Sequence, residues 1–286
     1  KEANSLVEQL AEGGDRLVLE TQGHEIHVSN LDKELWPAVD GHAALTKRIL
    51  LVYLARVSPY LLNHLRDRPL TLARYPNGIH GEHFYQKHVD NPLPEFVETV
   101  RLFSDHKEGD QDYILCNNLS TLVWLGQLAN LELHCWFARI SPEPDGHHLS
   151  NQFSGSTANV QGSLLNYPDF LIFDLDPYIY SGGEAKGAEP ELNRQGFAMT
   201  CQVALELKEI LDSLSLSAFV KTSGRTGLHI YVPIRRQFDF EAVRAATATI
   251  GRFLLQRRPR EITMDWTIAR RTGKIFVDYN QNMRGK

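Results

Sequence analysis

The second half of the chain sets the tightest limit on the fold. From residue 168 to 279 its hydrophobic pattern reads strand, helix, strand, strand, helix, strand. Strands are expected at 170–176, 219–222, 228–233 and 274–279, with helices at 197–214 and 240–256 and a loop at 181–190. That order suits a mixed or antiparallel sheet with helices on one face. The first strand is apolar until it ends in Asp174-Leu175-Asp176. Side chains alternate along a strand, so Asp174 and Asp176 share a face with Phe170 and Ile172, while Leu171, Phe173 and Leu175 occupy the other. Two carboxylates on one strand end repel each other, and a divalent cation resolves the conflict. Oxygen ligands suit Mg²⁺ or Mn²⁺. The plainer alternative is two solvated aspartates with Pro177 as a stop.

Two further features bear on that choice. Lys274-Ile275-Phe276-Val277-Asp278 is a second apolar strand ending in a carboxylate, and it continues into the amide-rich Tyr279-Asn280-Gln281-Asn282. Three carboxylates on neighbouring strands suit a two-cation site for phosphoryl displacement, with metals about 3.5–4 Å apart. The segment Thr222-Ser223-Gly224-Arg225-Thr226-Gly227-Leu228-His229 joins two strands. Its glycines let backbone approach a ligand, and Ser223, Arg225 and His229 are donors to phosphate oxygens. It lacks the ending of a Walker loop and does not open a helix. An ordinary hairpin turn is the alternative.

The first half is less patterned. A leading helix is expected over 6–15 and a hairpin over 16–20 and 25–28. Thr46 reads as a helix cap ahead of Ile49, Leu50, Tyr53, Leu54 and Val57, with Pro59 marking a kink or a second helix. A strand is expected at 71–75, a charged loop at 106–111, a helix at 120–132, a strand at 134–140 and a long connection at 141–166.

Composition excludes several classes. A chain of 286 residues that is 42% apolar and 23% charged is globular, either one large domain or two small ones sharing a core. Three cysteines at unrelated spacings form neither a zinc pattern nor a disulfide framework, which predicts a reducing, cytoplasmic setting. His80, His83 and His88 lack the cysteine or carboxylate company of a zinc site. Residues 1–15 are polar and no apolar run reaches a membrane-spanning length, so neither secretion nor a membrane partner is expected. A net charge of −5 excludes a uniformly basic coat protein and leaves room for a local basic groove.

In their order along the chain, Asp174-Leu175-Asp176-Pro177, Ser223 through His229, and Phe276 through Asn282 resemble the three motifs of the archaeo-eukaryotic primase superfamily. They resemble in particular the polymerase domains of ligase D, which serve non-homologous end joining in prokaryotes. Asn30-Leu31-Asp32-Lys33, Thr46-Lys47, Arg74 through Gly78, Phe84 through Lys87 and Leu131 through His134 agree with that branch, so the resemblance covers about 31–286. It implies an α/β (α+β) primase-like fold, with an RRM-like catalytic sheet flanked by helices. It implies a single catalytic domain over 1–286, in which 1–150 bind DNA ends and template and 151–286 carry the catalytic sheet.

The resemblance further implies that Asp174, Asp176 and Asp278 hold two divalent cations, Mn²⁺ or Mg²⁺. Ser223, Arg225, His229 and Gln281 would grip an incoming NTP or dNTP, and His134 would lie near its sugar. Arg271 would help assemble the site when DNA binds. Asn30, Lys33 and Lys47 would take the 5′-phosphate at a break, and Phe84 and Tyr85 would stack on template bases. The expected substrates are gapped duplexes and broken ends with 3′ overhangs and 5′-phosphates, extended preferentially with ribonucleotides, in the nucleoid. An ATP-dependent DNA ligase and a Ku-like end-binding protein are the implied partners, since no KxDG ligase motif occurs in the chain.

Two departures stand out. Arg225-Thr226 occupies the place where the family often carries a small residue and a lysine, and family members continue past the position of Lys286. Competing readings are a replicative-type primase that starts chains de novo, a catalytically silent end-bridging module, and a metal-dependent phosphohydrolase.

Overall fold

The computed structural model describes residues 1–88 and 92–286, which fall into two compact units. The first comprises residues 1–142 and 149–163 with Gly285. Helix α1 (Glu2–Ala11) precedes a hairpin of β1 (Arg16–Thr21) and β2 (His24–Ser29), in register from Arg16 opposite Ser29. Strands β3 (Glu34–Trp36) and β4 (Leu45–Thr46) pair and lead into α2 (Lys47–Leu65). Thr46 caps α2 by accepting the Ile49 N–H at 3.4 Å.

Pro59 lies inside a continuous α2 and does not start a second helix, one of the two readings that the sequence leaves open. Proline removes the N–H that would have bonded the Ala55 carbonyl. The Ser58 hydroxyl donates to that same carbonyl at 2.8 Å, so the buried acceptor stays satisfied and the helix continues.

Strand β5 (Leu70–Arg74) lies between β6 (Phe84–Gln86) and a later strand, and β7 (Glu98–Ser104) pairs with β8 (Gly109–Leu115). The charged segment expected as a loop is therefore the tip and return of a hairpin. Helix α3 (Leu119–Gln127) is shorter than expected, and β9 (Asn130–Cys135) begins where the helix was predicted to continue. Ala129 adopts φ 57°, and Asn130 Nδ2 donates to the Leu125 carbonyl at 3.0 Å, which closes the helix end. Leu131, Leu133 and Cys135 then pack at strand spacing against the core. Gly126 sets the approach of α3 to α2, since a Cβ there would stand 2.6 Å from Leu54 Cδ1. Within the long connection, α4 (Thr157–Gln161) is capped by Ser156.

The second unit comprises residues 143–148 and 164–284 with Lys286. It contains β10 (Phe170–Pro177), α5 (Arg194–Ser213), β11 (Phe219–Thr222), β12 (Leu228–Pro233), α6 (Phe240–Arg257), β13 (Ile262–Thr263) and β14 (Ile275–Asp278). The sheet order is β11-β12-β10-β14-β13, antiparallel except for the parallel β13–β14 pair. This is the mixed sheet that the pattern predicts.

One face of this sheet carries the core. Leu171, Phe173, Leu175, Leu228, Ile230, Val232, Ile275 and Val277 pack with Val203, Leu207 and Leu211 of α5 and Val243 and Leu254 of α6. Each such side chain contributes roughly 1.5–3 kcal/mol on burial. With one face committed to the helices, the register directs the remaining side chains of β10 to the opposite face. No helix among the described residues is long and apolar enough to cross a membrane.

Candidate active site

The face of the second unit's sheet opposite the helices carries a row of charged residues. Lys221 of β11 pairs with His229 of β12, His229 with Asp174 of β10, and Asp174 with Asp278 of β14. Directly opposed residues share a face, so four strands deliver ammonium, imidazole and two carboxylates in one line. Asp176 lies two residues further along β10 on the same face. Asp174 and Asp278 are buried.

Burial raises the Asp174 carboxyl well above the ordinary carboxylate range, and the charges of Asp176 and Asp278 add to the shift. Gln281 Nε2 donates to Asp174 Oδ2 at 3.0 Å and, with the Lys221 charge, opposes it. Asp176 is raised by burial and by Asp278, opposed by Arg271 and Arg225. Asp278 is raised by burial and opposed by the Asn280 N–H that donates to it at 2.6 Å. Asp174 Oδ1 is buried without a hydrogen-bond partner among the described residues. His229 Nε2 stands 3.4 Å from it, too far for a strong charged bond.

Three repelling carboxylates with an orphaned inward oxygen fit a hard divalent cation with oxygen ligands. Among the described residues, however, no three His, Cys, Asp or Glu side chains are already gathered as a metal cage. The row therefore has the donor chemistry for a cation, in an arrangement that would tighten on binding one.

Beside the carboxylates lies the turn between β11 and β12. Ser223 N–H donates to the Gly227 carbonyl at 2.9 Å, while Ser223 Oγ accepts from the N–H groups of Arg225 at 3.2 Å and Gly227 at 3.0 Å. The hydroxyl thus shapes the turn as an acceptor, with its own proton outside these two bonds. A Cβ on Gly227 would stand 2.2 Å from the Leu175 carbonyl oxygen and 3.0 Å from Asp176 Oδ1. Only glycine lets the turn lie this close to the end of β10. Arg225 is exposed and ion-paired with Glu189 of the preceding loop.

Arg271 is held in place by its neighbours. It is buried, its Nε donates to the Asp265 carbonyl at 2.9 Å, and its terminal nitrogens donate to Tyr178 Oη at 3.0 Å and the Trp266 carbonyl at 2.8 Å. Its guanidinium lies 3.6 Å from the Phe276 ring centroid. These contacts make it a positioning residue beside Asp176.

Two residues escaped the sequence reading. Lys221 reaches the site only through strand register, so nothing local to its own segment singles it out. Asn282 accepts the Ile172 N–H at 2.8 Å and donates to the Ile172 carbonyl at 2.7 Å. Strand β14 pairs with β10 only from Asp174 onward, and the Asn282 amide extends that pairing by one residue. The amide-rich tail was the available signal.

The remaining expected residues lie in the first unit. Phe84 and Tyr85 are both exposed on β6. Strand β5 separates β6 from β9, yet the Tyr85 ring lies 6.0 Å from that of His134. His134 Nε2 lies 2.7 Å from Glu132 Oε2. Lys47 is buried, with its Nζ donating to the Ser29 carbonyl at 3.0 Å. Desolvation and the neighbouring Lys33 lower its pKa. Lys33 Nζ donates to Asn77 Oδ1 at 2.8 Å, and the Asn30 carbonyl accepts the Lys33 N–H at 3.2 Å. Asn30, Lys33 and Lys47 thus gather two ammonium groups by the start of α2, where the helix end favours an anion. His80, His83 and His88 form no metal cluster among the described residues.

Comparison with known proteins gives a consistent result. A family model described as "LigD, primase-polymerase domain" matches residues 46–286. The bifunctional non-homologous end joining protein LigD of Bacillus subtilis is 31% identical over 242 residues, which cover 84% of this chain and 33% of that protein. The multifunctional LigD of Mycolicibacterium smegmatis is 29% identical over 263 residues, covering 91% of this chain and 29% of that protein. The chain therefore spans about a third or less of the length of these relatives. A solved structure of the polymerase domain of Mycobacterium tuberculosis ligase D in complex with DNA superposes with a TM-score of 0.71 at 28% identity, over 91% of this chain and 79% of that one. The chain therefore belongs to the LigD primase-polymerase domain family, DNA-directed nucleotidyltransferases with a primase-like fold.

Proposed function

We propose that this chain extends 3′ ends at gaps and double-strand breaks by templated nucleotidyl transfer in non-homologous end joining, favouring ribonucleotides. The observation that carries this reading is the row of Asp174 and Asp278 with Asp176 beside it, orphaned oxygen inward, against the Ser223–Gly227 turn. Asp174, Asp176 and Asp278 would hold two divalent cations, Mn²⁺ or Mg²⁺, whose charge lowers the pKa of an attacking hydroxyl and balances a leaving pyrophosphate.

The chain's own residues position the reactants. Gln281 fixes one Asp174 oxygen and leaves the other free to coordinate. Arg271, held by its own bonds, places its charge beside Asp176. Ser223 donates its hydroxyl proton to a phosphate oxygen, and His229 and Arg225 add donors on either side of the turn.

In the first unit we assign the 5′-phosphate at a break to Asn30, Lys33 and Lys47. Template stacking falls to Phe84 and Tyr85, and a contact to the nucleotide sugar to His134. The partners this role requires are DNA, an ATP-dependent ligase and a Ku-like end-binding protein in a prokaryotic cytoplasm.

The test is extension of a gapped duplex bearing a 5′-phosphate, comparing NTP with dNTP and Mg²⁺ with Mn²⁺. Template-directed extension that D174A loses while retaining DNA binding is expected. Extension unaffected by D174A would refute the assignment. Lys47→Met should abolish the preference for a 5′-phosphorylated gap, whereas an equal loss on phosphorylated and unphosphorylated substrates would mean general electrostatics. Product from template and nucleotides without a primer would favour a de novo primase.

A further inference from the structure

The row across the sheet does not end at the carboxylates. Asp278 and Asp174 stand at one end, His229 follows, and Lys221 closes the row on the edge strand β11. Strands lie about 4.8 Å apart, so the Lys221 backbone is about 10 Å from that of Asp174, on the same face. All four residues of β11 are exposed, and the Lys221 ammonium donates to the Thr222 carbonyl at 3.0 Å. The order of charge is acidic, imidazole, basic, with the Ser223 hydroxyl two residues beyond Lys221.

A nucleoside triphosphate has the complementary sequence of needs. Its α-phosphate must lie at the acidic end where transfer occurs, and its terminal phosphates extend away and need a cation. Arg225 lies in the neighbouring turn, paired with Glu189, and strand register sets Lys221 on the face of the carboxylates. We propose that Lys221 is a binding residue for the terminal phosphates of the incoming nucleotide, and so for the pyrophosphate that leaves. This rests on the polymerase reading above, and the test separates the two.

Primer extension by wild-type protein, K221M and K221R is measured with inorganic pyrophosphate as product inhibitor. Calorimetric binding of inorganic triphosphate with Mn²⁺ serves as a readout that needs no turnover. K221M is expected to raise the nucleotide KM and the pyrophosphate inhibition constant together by about tenfold, the loss of one charge-assisted hydrogen bond. Its kcat should stay within about threefold of wild type, because the lost contact is not confined to the transition state. Triphosphate binding should weaken in parallel, K221R should restore most of each effect, and gel-shift affinity for DNA and the melting temperature should stay unchanged.

Unchanged KM and triphosphate binding would overturn the proposal. So would a loss of DNA affinity at constant KM, which would place Lys221 on nucleic acid, or a fall in melting temperature shared by K221R. If wild-type protein extends no primer while K221M still weakens triphosphate binding, the polymerase reading fails and the Lys221 assignment stands.

Discussion

Two places in the second unit bury charge, and they do so in opposite ways. Arg236 is fully buried. Its Nε donates to Asp145 Oδ1 at 2.8 Å, its backbone N–H donates to Asp145 Oδ2 at 3.0 Å, and Nη2 donates to the Glu143 carbonyl at 2.7 Å. The pairing holds the Asp145 carboxyl below its ordinary range, although its own partial burial acts the other way. Asp174, Asp176 and Asp278 are like charges brought together, all shifted upward, with one oxygen orphaned. The first arrangement is what stability alone would select. The second is unfavourable in the free protein, and a bound cation would offset it, which is what the proposed function asks of these carboxylates.

The largest expected effect tests that contrast directly. Removing a charge should have opposite consequences at the two places. R236A leaves a cavity and unpaired acceptors and should cost about 3 kcal/mol or more of stability. D174N removes repulsion and should raise stability at pH 8 by about 1–3 kcal/mol while eliminating primer extension. Chemical denaturation of both variants beside an extension assay checks this. D174N destabilised as much as R236A would make the carboxylate row structural.

The pH dependence should sharpen the same comparison. Asp145, with its pKa lowered on folding, contributes stability that is present above the ordinary carboxyl value and lost as pH falls through its folded value. Asp174, raised toward about 8, contributes stability that is complete below the ordinary value of 3.8 and is lost as pH rises between the two. Thermal melts without metal should therefore show wild type losing ground to D174N from pH 5 to pH 8. Mn²⁺ should restore wild type selectively, because it binds the folded carboxylates. Parallel pH profiles for the two proteins, indifferent to Mn²⁺, would break the argument.

How far the sequence reveals these features depends on whether the signal is local. The second unit's order is legible because its core strands alternate against helices of ordinary length. Asp174 and Asp176 stand out because a carboxylate pair is foreign to an apolar strand. The first unit resists where local chemistry overrides a pattern. Ser58 rescues the helix across Pro59, and Asn130 with Ala129 ends α3 early inside an apolar stretch that reads as helix. The anchoring of Arg271 is not legible locally, because Tyr178 is distant in sequence and Phe276 lies on a core strand. Lys221 is invisible without the register that places it opposite His229.

Gly227 offers a smaller and more local test, because it adjoins the functional site without adding charge. A Cβ there would meet the backbone oxygen of Leu175 at 2.2 Å, a contact that no rotamer relieves. Gly227→Ala should therefore lift the turn from the end of β10. The fold should lose about 1–3 kcal/mol, as for other overpacked sites. The nucleotide KM should rise more than kcat falls, since the turn holds the substrate and the carboxylates hold the chemistry. Unchanged KM with lowered stability would mean that the turn packs against β10 without serving a ligand.

The smallest effect is expected in the first unit, at the exposed aromatic pair proposed to stack on template bases. Phe84 and Tyr85 are 47% and 61% exposed, although alternation along a strand normally buries one of two neighbours. Their strand is only three residues long and pairs on one side, so neither ring is enclosed by sheet. An exposed ring contributes little to folding, so Tyr85→Ala should leave the melting temperature unchanged. Base stacking is worth about 1–3 kcal/mol per ring, so the same change should weaken binding to duplexes with a single-stranded template overhang and spare blunt duplexes. A variant that melts lower and binds both substrates equally would show that the ring packs rather than stacks.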